Sequence, residues 1–197
     1  MRRGSSTTIV LVGDNVDVLL QELGRSPNVS VVAAGDDGPE AAFAALAEAV
    51  GRTAPFVLVG RDPLSAVAEQ WRRMWDRSGS ADAFEQRADA VVAAWRAGRF
   101  ELPDYYLVVA DEHRVPGSPH PHELHLGVLH NRRPARVVAV AGGEAPEVAG
   151  RAIHVLRTLR SGPWWPSPDE LMEDARSFYP GHLSAESTGR ATAESLA

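Results

Sequence analysis

The stretch Phe56-Val57-Leu58-Val59-Gly60-Arg61-Asp62-Pro63-Leu64-Ser65-Ala66-Val67-Ala68-Glu69-Gln70-Trp71 decides the fold class. Four apolar residues follow one another without alternation, which predicts a strand buried on both faces. Pro63 suits the first position of a helix, because the N–H it lacks would be unpaired there. Asp62 is placed to accept from the first free backbone N–H groups. A buried strand feeding a helix is half of a parallel βαβ unit.

The flanking chain repeats that plan. Strands are predicted over 8–12, 29–33 and 105–110, and helices over 16–23, 40–50 and 144–159. The long helical pattern after Asp62 is broken at Ser78-Gly79-Ser80, so 81–96 forms a separate helix. A short helix over 170–178 follows Pro166. Residues 124–129 and 135–141, joined by a five-residue link, are expected to form an antiparallel hairpin. The expected architecture is a single α/β domain over 8–181, a doubly wound and mostly parallel sheet with that hairpin near its C-terminal edge. The segments 1–7 and 182–197 lack apolar periodicity and are expected to be disordered.

Composition removes whole classes of chemistry. The chain of 197 residues has no cysteine, which excludes disulfides, a thiolate nucleophile and cysteine-ligated zinc or iron–sulfur centres. All 20 basic residues are arginines, so neither a Walker A loop nor a Schiff-base lysine can form. A net charge of −6 gives no reason to expect nucleic acid or an anionic membrane as partner. No apolar run reaches membrane-spanning length and none reads as a secretory signal, so a cytoplasmic location is expected. The patterns G-x-S-x-G, H-E-x-x-H and G-x-G-x-x-G are absent.

Three groups of residues remain as site candidates. Asp14, Asp36, Asp62 and Asp111 each follow a predicted strand. In a parallel sheet those carboxylates gather at the ligand crevice, where they could hold Mg²⁺, or each could simply cap its own helix or turn. His120, His122 and His125 form an imidazole-rich run that could bind a transition metal or lie free in a loop. Trp164 and Trp165, between Pro163 and Pro166, are candidate anchors for a protein partner, together with Arg132 and Arg133 at the expected hairpin tip. Two adjacent rings cannot easily share a pocket. Trp164, whose approach Pro163 fixes, is therefore expected in the core and Trp165 at the surface.

Residues 8–63 resemble the receiver domain of response regulators. The resemblance is carried by Ile9-Val10-Leu11-Val12-Gly13-Asp14, Val31-Val32-Ala33-Ala34-Gly35-Asp36-Asp37-Gly38 and Phe56-Val57-Leu58-Val59. It implies a receiver-like scaffold without phosphotransfer. The position of the receiver phosphoacceptor is Gly60 here, with Asp62 two residues on, and the receiver lysine has no counterpart. The functions these observations leave open are a non-catalytic regulatory module acting through a protein partner with no cofactor, a Mg²⁺-dependent phosphoesterase or nuclease using the strand-end carboxylates, and a binder of nucleotides or other small molecules.

Overall fold

The computed structural model describes residues 6–32, 38–110 and 124–178. Five strands alternate with helices. They are β1 (Thr7–Val12), β2 (Val29–Val32), β3 (Phe56–Val59), β4 (Tyr105–Ala110) and β5 (Val137–Ala141). The helices are α1 (Val16–Leu23), α2 (Pro39–Val50), α3 (Ser65–Trp75), α4 (Ala81–Arg96), α5 (His130–Arg132), α6 (Ala145–Leu156) and α7 (Pro168–Ser177). All pairings are parallel, in the order β2-β3-β1-β4-β5. This is neither the 3-2-1-4-5 nor the 2-1-3-4-5 order of the commonest doubly wound sheets.

The order dictates the layers. A right-handed crossover puts its helix on a face set by the direction of travel along the sheet. From β1 to β2 the chain moves one way, and every later connection moves the other way. So α1 lies on one face, joined by α6, and the other connecting helices lie opposite. The two cores follow the period-two alternation of the strands. Ile9, Leu11, Leu58 and Leu107 pack with Leu19, Leu23, Ala152 and Leu156. Val10, Val57, Val59 and Val108 pack with Phe43, Trp71, Phe84 and Leu171. Of the two tryptophans on α3, Trp71 is buried, whereas Trp75 is 41% exposed and leans on Trp71 at 5.4 Å between ring centroids.

The expected antiparallel hairpin is not formed. Residues Leu124–Leu129 make a π-helical turn that runs into α5, and β5 lies parallel to β4. A parallel neighbour cannot be reached by a tight turn and requires a crossover. The buried residues of the turn are Leu124, His125, Val128 and Leu129. Their spacing belongs to a helix face. It reads as a strand only if His125 is taken as an outward polar residue.

Local signals that were right have visible causes. Ser80 accepts from Ala83 N and starts α4. Ser167 and Glu170 form a reciprocal capping box at the start of α7. Glu170 is held below the usual carboxylate range by its hydrogen bonds from the Ser167 backbone and hydroxyl. Thr7, expected in a disordered terminus, is the first residue of β1. The segment 182–197 lies outside the described residues. Among the described residues, no helix is long and apolar enough to cross a membrane.

Candidate functional site

At the carboxyl edge of the sheet, the chain leaves β1 towards α1 on one face and leaves the neighbouring β3 towards α3 on the other. The strands' exits diverge there, and a crevice opens beside β1. It measures about 530 Å³, and Gly13, Asp14, Gly60, Asp62, Ser65 and His125 are among its walls. That volume suits a small-molecule ligand.

Asp62 is the centre of the site. It is 7% exposed, although it follows a strand end. Its Oδ1 accepts from the backbone N–H of Leu64 at 3.0 Å and from the Tyr106 hydroxyl at 3.1 Å. Its Oδ2 lies 2.9 Å from His125 Nε2. The expected cap is not formed: α3 begins at Ser65 with Leu64 at its cap position, so Pro63 and Asp62 precede the helix, and Asp62 instead closes a turn two residues on. The same carboxylate also gathers two side chains from distant parts of the chain.

Strand register brings Tyr106 to Asp62. Val10 pairs with both Val59 and Tyr106, so Tyr106 is level with the last residue of β3, although it is only the second residue of β4. Its phenol therefore reaches over the end of β3. Burial pushes the Tyr106 pKa well above 10, the Asp62 charge raises it further, and so does the hydrogen bond to that carboxylate. The hydroxyl is thus a fixed donor. Trp165 meets the Tyr106 ring edge-on at 5.7 Å, and the His125 ring lies 5.0 Å from it on a tilt.

His125 is 1% exposed, and its Nδ1 has no hydrogen-bond partner. With Asp62 accepting at Nε2, that nitrogen carries a proton, and Nδ1 is a lone pair in the neutral ring and an N–H donor in the charged one. A buried polar atom left in this state costs about 1–3 kcal/mol. A carboxylate orienting an imidazole whose other nitrogen is open can serve as a hydrogen-bond acceptor, a general base or a metal ligand.

Asp14 lies at the rim of the crevice, and Asn15, not Asp14, begins α1, without a side-chain cap. Asp36, Asp111, His120 and His122 lie outside the described residues. Among the described residues, no group of three or more His, Asp or Glu side chains converges as a metal site would require.

Trp164 and Trp165 reverse their expected roles. Trp165 is 5% exposed and donates from Nε1 to the Pro103 carbonyl at 2.7 Å, whereas Trp164 is half-buried with the Arg136 guanidinium 4.4 Å above its ring. Pro163 does fix the approach, but it directs the second ring inward. With no hairpin there is no hairpin tip. Arg133 Nε bonds the Trp164 carbonyl, and Arg132 pairs with Asp174 at 3.2 Å.

A larger hollow of about 760 Å³ lies beside α1 and α6 and includes Asp14, Glu144 and Glu147 in its walls. Arg151, also in its wall, is turned to the carbonyls of Ala141 and Gly142. Among the described residues of its wall no buried polar atom lacks a partner, so the smaller crevice is the better candidate on chemical grounds.

Tyr106 is the site residue that sequence reading missed. The available signal was a tyrosine inside an otherwise Leu-Val run, because a buried phenol usually needs a partner. The chain matches no protein-family model and no curated protein sequence.

Proposed function

We propose that this protein is a small-molecule-binding α/β module whose ligand enters the crevice beside β1 and is met by His125. The observation that carries the reading is the buried Asp62–His125 pair, two residues of the crevice wall, with one imidazole nitrogen lacking a hydrogen-bond partner. The position of the crevice at diverging strand exits adds support.

This reading ranks above the two alternatives for stated reasons. A protein-partner module rested on Trp164 and Trp165, whose contacts are now taken up within the fold. A Mg²⁺ site at the strand ends needs carboxylate oxygens free to coordinate, and both oxygens of Asp62 already accept from protein donors. The test is a thermal-shift panel of nucleosides, sugars, sugar phosphates and nucleotides on the full chain and on His125→Gln. A ligand that binds only the folded state raises the melting temperature by mass action. At least one compound should stabilise the parent chain and lose its effect in the variant. A panel without any stabiliser, or a stabilisation that survives the substitution, refutes the reading.

A further inference from the structure

We infer that the hydrogen bond between His125 and Asp62 is a latch: it holds Leu124–Leu129 in the π-helical register, and the segment takes the α-helical register when the bond is removed. The latch concerns the wall of the crevice and not its ligand, so it stands or falls apart from the binding reading above.

Two ways of closing a helix meet at Leu129. The turn before it is π-helical and runs without a break into α5, where Arg133 N bonds Leu129 O, a span of four residues as in an α-helix. π closure spans five residues, is the rarer of the two, and occurs mostly as single turns, often at functional sites. Two side chains are fitted to it here. His125 is 1% exposed, and its Nε2 lies 2.9 Å from Asp62 Oδ2. That bond forms with the ring neutral or charged, because Nε2 carries a proton in both states. Asn131 Nδ2 donates to the Gly127 carbonyl at 2.6 Å, the carbonyl that an α-helix would assign to the Asn131 backbone N–H.

The apolar residues of the turn are indifferent to the register. Leu124, Val128 and Leu129 are buried, and at spacings of four and five they share one face in an α-helix as well. Gly127 has no positive φ, and a Cβ there would meet only the Trp71 ring at 3.9 Å. Neither backbone conformation nor close approach calls for glycine at 127, and its effect is to leave the turn's backbone soft. Among the described residues, Asp62 is the one hydrogen-bond partner of the His125 ring. The end of the segment is anchored separately, by His130 Nδ1 donating to the Val137 carbonyl and by Arg132 pairing with Asp174. A change of register therefore acts on the residues before that anchor. It turns His125 about the helix axis, off Asp62 and out of its place in the crevice wall.

The experiment determines crystal structures of His125→Leu and His125→Gln and reads the partner of the Leu129 N–H. That partner is the Leu124 carbonyl in the π register and the carbonyl of position 125 in the α register. His125→Leu fills the buried space without a donor and should show the α register. His125→Gln keeps a donor for Asp62 and should keep the π register. If His125→Leu retains the π register, packing sets it and the inference is wrong. The α register in both variants also overturns it, because the bond would then not be what holds the turn. The parent chain supplies a reading that does not depend on either variant folding. In native-state hydrogen exchange the Leu129 amide should open at least about tenfold more often than the sheet amides of Val108 and Val140, because a latch made by one bond opens without global unfolding. Exchange of all three through global unfolding alone would refute the latch.

Discussion

The two ends of the sheet each bury a charged group, and they treat it in opposite ways. At the amino end, Arg136 is 8% exposed. Its Nε donates to the Pro163 carbonyl at 2.6 Å, and its terminal nitrogens donate to Asp104 and Gly162, each at 2.9 Å. The guanidinium fork is spent on backbone carbonyls from two separate segments and stacks on Trp164. At the carboxyl end, Asp62 is equally well supplied with donors, but His125, which it orients, keeps one nitrogen open. Both are buried polar networks of similar size. The first is closed and acts as a staple, and the second keeps one buried nitrogen without a hydrogen-bond partner. What separates them is not burial or charge but whether each polar atom already has a partner.

The largest effect should come from the ring that links the two ends. Trp165 bonds Pro103 and braces Tyr106. Trp165→Ala should cost about 3–5 kcal/mol in urea denaturation, as for a buried aromatic. Trp164→Ala should cost clearly less. Equal losses would mean that the two tryptophans are not divided between core and rim in this way.

Next in size is the staple itself. Arg136→Met keeps the stem but removes the donors, and charge-assisted bonds contribute about 1.5–3 kcal/mol each, so a loss of at least about 3 kcal/mol is expected. A loss below about 1 kcal/mol would break the contrast, because exposed arginines behave that way.

A smaller effect is expected at the site. Tyr106→Phe deletes one donor to Asp62 and should cost about 1–2 kcal/mol. It should also change the alkaline limb of stability. The folded Tyr106 holds its proton well above the ordinary value of 10, so its contribution is complete below pH 10 and is lost as pH climbs from there towards the raised value. The parent should destabilise over that range more steeply than the variant. Parallel alkaline curves would show that the phenol is not buried against Asp62.

The smallest effect belongs to the surface pair Arg176–Glu85, 2.7 Å apart and 42% exposed at the glutamate. The hydrogen bond from Arg176 lowers the Glu85 pKa, burial opposes it, and the Arg176 charge adds to the lowering. The pair's contribution is therefore present above the ordinary value of 4.5 and lost as pH falls through the lowered one. Solvent screening limits it, and Arg176→Gln should cost under about 1 kcal/mol near neutral pH. A loss comparable to that of Arg136→Met would erase the distinction between buried and exposed charge.

Strand and helix positions were legible because they depend on local pattern. The unbroken run Phe56–Val59 predicts a doubly buried strand, and it pairs with β1 on one side and β2 on the other. The break at Ser78-Gly79-Ser80 and the caps at Ser80 and Ser167 involve neighbours in the chain. The segment 124–129 was misread because its one polar residue faces inward, and no local rule says that His125 has a buried carboxylate to meet. The roles of the two tryptophans were inverted for a similar reason. A turn sets the direction of the chain, but which ring is covered depends on what stands opposite, and here that is Pro103 and Tyr106.

By itself the sequence determined an α/β chain with a buried parallel sheet, without thiol or amine chemistry, and with an aspartate after the third strand. Local propensity, side-chain periodicity and composition act within a few residues and need no knowledge of the rest. The strand order, the inward turn of His125 and the meeting of Asp62, Tyr106 and His125 were decided only by the tertiary structure. Tyr106 and His125 lie 44 and 63 positions from Asp62 along the chain. Crossover handedness and strand register bring them together, and both are properties of the packed sheet, not of any single stretch.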